Sequence, residues 1–195
     1  MKQHQSFLMV AMKTLNDKFF KIESTRSLQS LQNFSRIFFI FSVGFIAAFI
    51  YKLLLIKSGT VKSFKLPILE LDILPLYTQN FTGFIFLSVY EILKFITLAF
   101  VFFYFMKFIK TIDINEPFKN LKSKNHLSKV SNLCYAFFII DAIGTLHAAQ
   151  YTVFLSNIPF ALFHFQYLFI AYFVHVFAII YKRGVDLNNE IDLVI

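Results

Sequence analysis

The chain has 195 residues, 57% of them hydrophobic and only 15% charged, with 29 phenylalanines and a formal charge of +8. Soluble domains carry about a quarter of their residues as charges, whereas the apolar residues here fall in long, nearly uncharged blocks. That pattern excludes an ordinary water-soluble core and marks membrane spans. The basic surplus flanks those blocks and forms no patch with interleaved aromatics, so it reads as topology signal and lipid-headgroup contact, with no direct nucleic-acid binding expected.

Residues 4–23 have the pattern of an amphipathic helix. Leu8, Met12, Leu15, Phe19 and Ile22 recur at steps of three and four, while Lys13, Asp17, Lys18 and Lys21 fall elsewhere around the wheel. Such a segment either lies along the headgroups or binds a partner helix. No cleavable signal peptide is expected, because the early apolar run is short and has no small-residue cleavage site after it.

Four spans come next, at about residues 37–56, 81–106, 130–150 and 158–181. At ~1.5 Å per residue each is long enough to cross a hydrocarbon core of about 30 Å. The expected fold is therefore all-α, an integral membrane four-helix bundle (37–181) preceded by an N-terminal amphipathic segment (1–36) and followed by an acidic tail (182–195). Lysine and arginine crowd the N-terminal segment, the connection between spans two and three, and the positions Lys182 and Arg183. The connection between spans three and four has no charge. The positive-inside rule then puts both termini and the middle connection in the cytoplasm.

In the outer connection, Leu69, Leu71 and Ile73 alternate with Glu70 and Asp72 between Pro67 and Pro75, the period of a short half-buried strand that rests on the membrane or caps the bundle. In the middle connection, Asn115-Glu116-Pro117 suits either a helix start near residue 116 or a solvated turn.

Ionisable groups within spans mark a pathway, a relay or a structural pair. Glu91 and Lys94 stand three residues apart on one helix face, as an internal ion pair or as a proton or cation site. Asp141 has no partner in its own span and is expected to bond Lys94 or hydroxyls across the bundle. Gly144 with Ala148, and Gly44 with Ala48, are small-residue pairs that permit close helix approach, and both are expected to face inward. With His147 and His164 these groups form an expected intramembrane polar cluster of Glu91, Lys94, Asp141, His147 and His164. The two histidines are satisfied bundle residues or, without any spacing motif, axial haem or metal ligands. No cofactor or metal is expected. Neither is catalysis: there is no nucleophile–base pairing of recognisable spacing, no phosphate-binding glycine loop and no HExxH. The lone Cys134 cannot form an internal disulfide.

Ile114-Asn115-Glu116-Pro117-Phe118 after span two, and the tail Gly184-Val185-Asp186-Leu187-Asn188-Asn189-Glu190-Ile191-Asp192-Leu193-Val194-Ile195, together resemble an uncharacterised family of bacterial four-span membrane proteins, domain of unknown function 2975. The resemblance runs from span two to the end. It implies a bacterial inner membrane and a membrane partner of a small helix-turn-helix regulator, since members with this pattern are often encoded beside one. The tail has its own physical reading. Leu187, Ile191 and Val194 share a face if it is helical, and Asp186, Glu190 and Asp192 make it acidic, unlike a lipid-hugging tail. Gly184, Leu187, Glu190, Asp192 and Leu193 are the residues expected to dock a basic partner, against the alternative of a solvated terminus. The expected function is thus a non-enzymatic regulatory membrane protein. The alternative is a small ion-coupled transporter on Glu91, Lys94 and Asp141, which with four spans would need a homo-oligomer.

Overall fold

The computed structural model describes residues 2–56, 58–66, 72–113, 118–151 and 165–194, with side chains from residue 23 to 191 inside those ranges except that of Phe165. Among the described residues there are five helices: α1 (Lys2–Ile56), α2 (Leu74–Gln79), α3 (Phe81–Thr111), α4 (Leu121–Ala149) and α5 (Phe165–Val194). Four of them contain stretches long and apolar enough to cross a membrane, at Glu23–Ile56, Phe81–Thr111, Leu121–Ala149 and Gln166–Ile191. The fold is all-α, and the chain is a multi-pass membrane protein by the length and composition of these helices.

The N-terminal helix is continuous with the first span. Its 55 residues would reach roughly 80 Å at the α-helical rise, against about 30 Å of hydrocarbon. A segment lying flat on the headgroups needs a break before the span, and α1 has none. The side chains of Leu8, Met12, Leu15, Phe19 and Ile22, which carry the amphipathic pattern, lie outside the described residues.

The long helices pack in chain order. Close backbone approach joins α1 to α3, α3 to α4 and α4 to α5 only, among the described residues. Each adjacent pair is antiparallel, as the contacts show. Between α1 and α3, Phe38 meets Phe102, Phe39 meets Phe103 and Phe45 meets Phe95, with ring centroids 5.2, 6.2 and 5.2 Å apart. Between α3 and α4, Lys94 meets Asp141 and Thr111 meets Ser123. Between α4 and α5, Phe137 meets Tyr167 and Ser131 meets His175. Lipid supplies no hydrophobic drive between helices, so aromatic packing and hydrogen bonds hold these seams. Backbone polar groups are satisfied within each helix, and Ser35, Ser42 and Thr97 donate their hydroxyls to the carbonyl one turn back.

The two small-residue pairs part company. Gly144 faces α3, where an added Cβ would lie 3.4 Å from Tyr90 Cβ, and Ala148 is buried. Gly44 and Ala48 instead sit on the outer side of α1, and an added Cβ at Gly44 would meet nothing within 4 Å. The inward turn expected of that face does not occur, because α1 uses Phe38, Phe45 and Phe49 to meet the rest of the fold.

The connection between α1 and α3 caps one end. Phe64, Leu66, Ile73 and Leu76 are almost fully buried, packed with Phe49 and Ile56 of α1, Phe84 and Leu87 of α3, and Ala148 of α4. Asp72 organises the cap: its Oδ1 accepts from the Phe64 amide at 2.9 Å and from the Leu74 amide at 3.0 Å. Burial pushes its carboxyl up, but the hydrogen bonds from Ser63, Leu74 and Phe64, with the Lys65 charge beside them, hold it below the ordinary carboxylate range. Most of the expected strand, residues 67–71, lies outside the described residues. On either side of that gap Lys65 and Asp72 form an isolated antiparallel bridge, and the chain then enters α2, with Pro75 in its first turn.

Candidate functional site

Inside the α3–α4 seam three ionisable side chains come together. Glu91 and Lys94 project from one face of α3, and the antiparallel register of α4 brings Asp141 opposite them. Lys94 Nζ lies 2.7 Å from Glu91 Oε2 and 3.3 Å from Asp141 Oδ1. The contact to Asp141 is a hydrogen bond, while that to Glu91 is an ionic contact without hydrogen-bond alignment. Glu91 and Lys94 are 0% exposed and Asp141 1%, so the attraction acts in a low dielectric and offsets the desolvation of all three groups. Tyr167 of α5 stands near enough to feel both carboxylates. One helical turn further along the same faces, the hydroxyls of Ser88 on α3 and Thr145 on α4 are buried and make no hydrogen bond among the described residues.

His147 and His175 have separate partners. Tyr151 Oη and His147 Nε2 share a hydrogen bond of 3.1 Å, and the His147 ring stands edge-on to Phe86, Tyr90 and Tyr151. It belongs to an aromatic nest at the capped end, where the Tyr151 ring also covers Gly83. His164 lies outside the described residues. His175 lies in the first half of α5, bonded to Ser131 Oγ at 3.1 Å. Among the described residues no three His, Cys, Asp or Glu side chains gather as a metal-ligand set.

At the lysine-rich end the tail is fastened to its own chain. α5 continues unbroken through residue 194, and its inner face buries Tyr181 and Val185 against Phe108 and Ile109 of α3 and Leu127 of α4. Phe118, in the connection before α4, lies over Gly184: an added Cβ would come within 2.6 Å of its ring. Only glycine permits that approach. Lys124 of α4 pairs with Asp186. The connection itself is tied down by Asn120, which caps α4 by accepting from the Lys122 amide and donates Nδ2 to the Thr111 carbonyl. The helix therefore starts at Leu121 and not near residue 116; residues 114–117, which carry Asn115-Glu116-Pro117, lie outside the described residues.

The tail's other face stays free of the bundle. Leu187 and Ile191 are 57% and 58% exposed, one turn apart, and Glu190 is exposed beside Ile191. The side chains of Asp192 and Leu193 lie outside the described residues. Of the five expected tail residues, the structure thus fastens Gly184 inward and turns Leu187 and Glu190 outward. The Phe118–Gly184 approach and the Lys124–Asp186 pair were not anticipated from sequence. The available signal was the glycine itself, since a lone glycine in a helix costs ~1 kcal/mol and is kept for a packing reason.

No curated protein and no solved structure is detectably similar to the chain. A family profile does match it, over residues 41–195, beginning inside the first span and so reaching beyond the two segments that carry the sequence resemblance. The chain belongs to the family of proteins of unknown function DUF2975.

Proposed function

We propose that the chain is a non-enzymatic, regulatory protein of a bacterial inner membrane, with both termini in the cytoplasm, that holds a basic cytoplasmic partner such as a small helix-turn-helix regulator. One observation carries this reading: the end of α5 is locked to the bundle on one face and leaves Leu187, Ile191 and acidic Glu190 exposed on the other. A fixed helix with an apolar and acidic outer face is a preorganised dock for a basic amphipathic partner. The placement of Lys and Arg supports the cytoplasmic side for this end. The test is affinity capture of solubilised full-length protein with Leu187 and Ile191 both replaced by lysine. These substitutions spare Val185, Asp186 and the Gly184–Phe118 approach, so the bundle stays intact. Loss of a DNA-binding protein that the wild type retains supports the reading; an unchanged set of bound proteins sinks it.

A second reading, a small ion-coupled transporter, draws on the fully buried Glu91, Lys94 and Asp141, with the hydroxyls of Ser88 and Thr145, unbonded among the described residues, beside them. A line of buried polar groups is the kind of feature that marks an ion path. Ion or proton uptake by reconstituted vesicles, abolished by Asp141→Asn in a variant that still elutes as a folded species, supports it. Uptake no faster than in empty vesicles ends it.

A further inference from the structure

We propose that a groove between α4 and α5 at the lysine-rich end binds the phosphate of an anionic phospholipid headgroup. The groove has a volume of about 290 Å³. That is near the lower end of small-ligand sites, about 300–1,000 Å³, and far above the ~30 Å³ share of one water. Its walls are one face of each helix. On α4, Lys124, Asn125, Ser128, Ser131 and Asn132 recur at steps of three and four; on α5, His175, Ala178, Ile179 and Lys182 do the same.

The chemistry is graded along the groove. Lys124 and Lys182 place two ammonium groups at its mouth, where the apolar run of α5 ends and lysines reach the headgroup level. Asp186 pairs with Lys124, and Lys182 makes no ion pair among the described residues, so the mouth keeps a positive balance. Asn125, Asn132 and Ser128 are exposed and offer directed N–H and O–H donors to phosphate oxygens. At the deep end Ser131 is buried and bonded to His175, which closes the floor. Ala178 and exposed Ile179 form an apolar rim on the lipid side, suited to the glycerol and first acyl carbons. A soluble anion has no use for that rim. Basic pockets between spans at this depth are the usual seat of anionic headgroups.

The test is native mass spectrometry of the full-length protein in an uncharged detergent, titrated with phosphatidylglycerol or phosphatidylcholine. The wild type should retain one phosphatidylglycerol in preference to phosphatidylcholine. Lys182→Gln should weaken retention roughly fivefold, Asn132→Ala should weaken it further, and Lys110→Gln, a lysine at the same end but outside the groove, should leave it unchanged. Equal retention of the two lipids, no change in Lys182→Gln and Asn132→Ala, or an equal loss in Lys110→Gln would each overturn the assignment. Displacement of the lipid by millimolar inorganic phosphate would give the groove to free phosphate and overturn the lipid half. The substituted positions are exposed, and an unchanged helical circular dichroism spectrum shows that the variants are folded.

Discussion

Lys94 touches two carboxylates from two helices, and that double contact sets the consequences of changing it. Lys94→Met leaves Glu91 and Asp141 buried together without the cation between them. Breaking a buried pair from one side costs about 3–5 kcal/mol. The triple change Glu91→Leu, Lys94→Met and Asp141→Leu removes every charge and should recover most of that loss, because an apolar replacement of a buried ionic group is often neutral or stabilising. Thermal unfolding in detergent distinguishes the cases; equal destabilisation by the single and triple changes would mean that the triad is not what the single change damages. At this scale the sequence was informative where groups are close along one helix. Glu91 and Lys94 are legible from their spacing alone. Asp141 is legible as a buried charge in want of a partner, and the register of α4 decides which. His147 shows the limit: its partner Tyr151 is one turn away, but whether a histidine joins the ions or the aromatics depends on how α3 faces α4.

Among the elements, the cap between α1 and α3 was the hardest to foresee. Alternation in residues 67–75 suggests a strand; of these the described part has Asp72 in a bridge, Ile73 buried at the N-cap of α2 and Leu74 and Pro75 inside that helix. Asp72 makes this element sensitive to acid. Its carboxyl is held below the ordinary range, so it stabilises the cap above the unfolded value, about 3.9, and that contribution is lost as the pH falls through the lower folded value. The amides of Phe64 and Leu74, both bonded to it, should keep their hydrogen-exchange protection above about pH 4 and lose it below the depressed value. Asp72→Asn should show weaker protection with no such acid step. An identical acid step in that variant would exclude Asp72 as the cause. The spans themselves are legible, because uncharged apolar length is a one-dimensional property. The N-terminal helix is legible too, but its continuity with the first span is not, since no residue between them signals either a break or its absence.

For the whole molecule, packing in chain order leaves the outer side of α1 without a partner among the described residues. Gly44→Leu should therefore leave the unfolding temperature of the monomer unlowered, while Gly144→Leu, which drives a side chain into Tyr90, should cost about 1–3 kcal/mol by overpacking. Thermal unfolding of both variants decides it, and a large loss at Gly44 would mean that another helix does cover that face. Which helix lies beside which cannot be read from hydropathy, because lipid-facing and helix-facing sides of a span are both largely apolar. The distance along the chain between Lys94 and Asp141, 47 residues, has a consequence for synthesis. At ~5–20 residues per second the ribosome makes span two several seconds before Asp141 exists. A lysine at the centre of a span opposes its release into lipid by roughly 2.5–3.5 kcal/mol. During that interval Glu91, three residues away on the same helix, is the neighbour that can neutralise it. Glu91 is thus the first escort of Lys94 and stays beside it, and Asp141 joins them once α4 has been made.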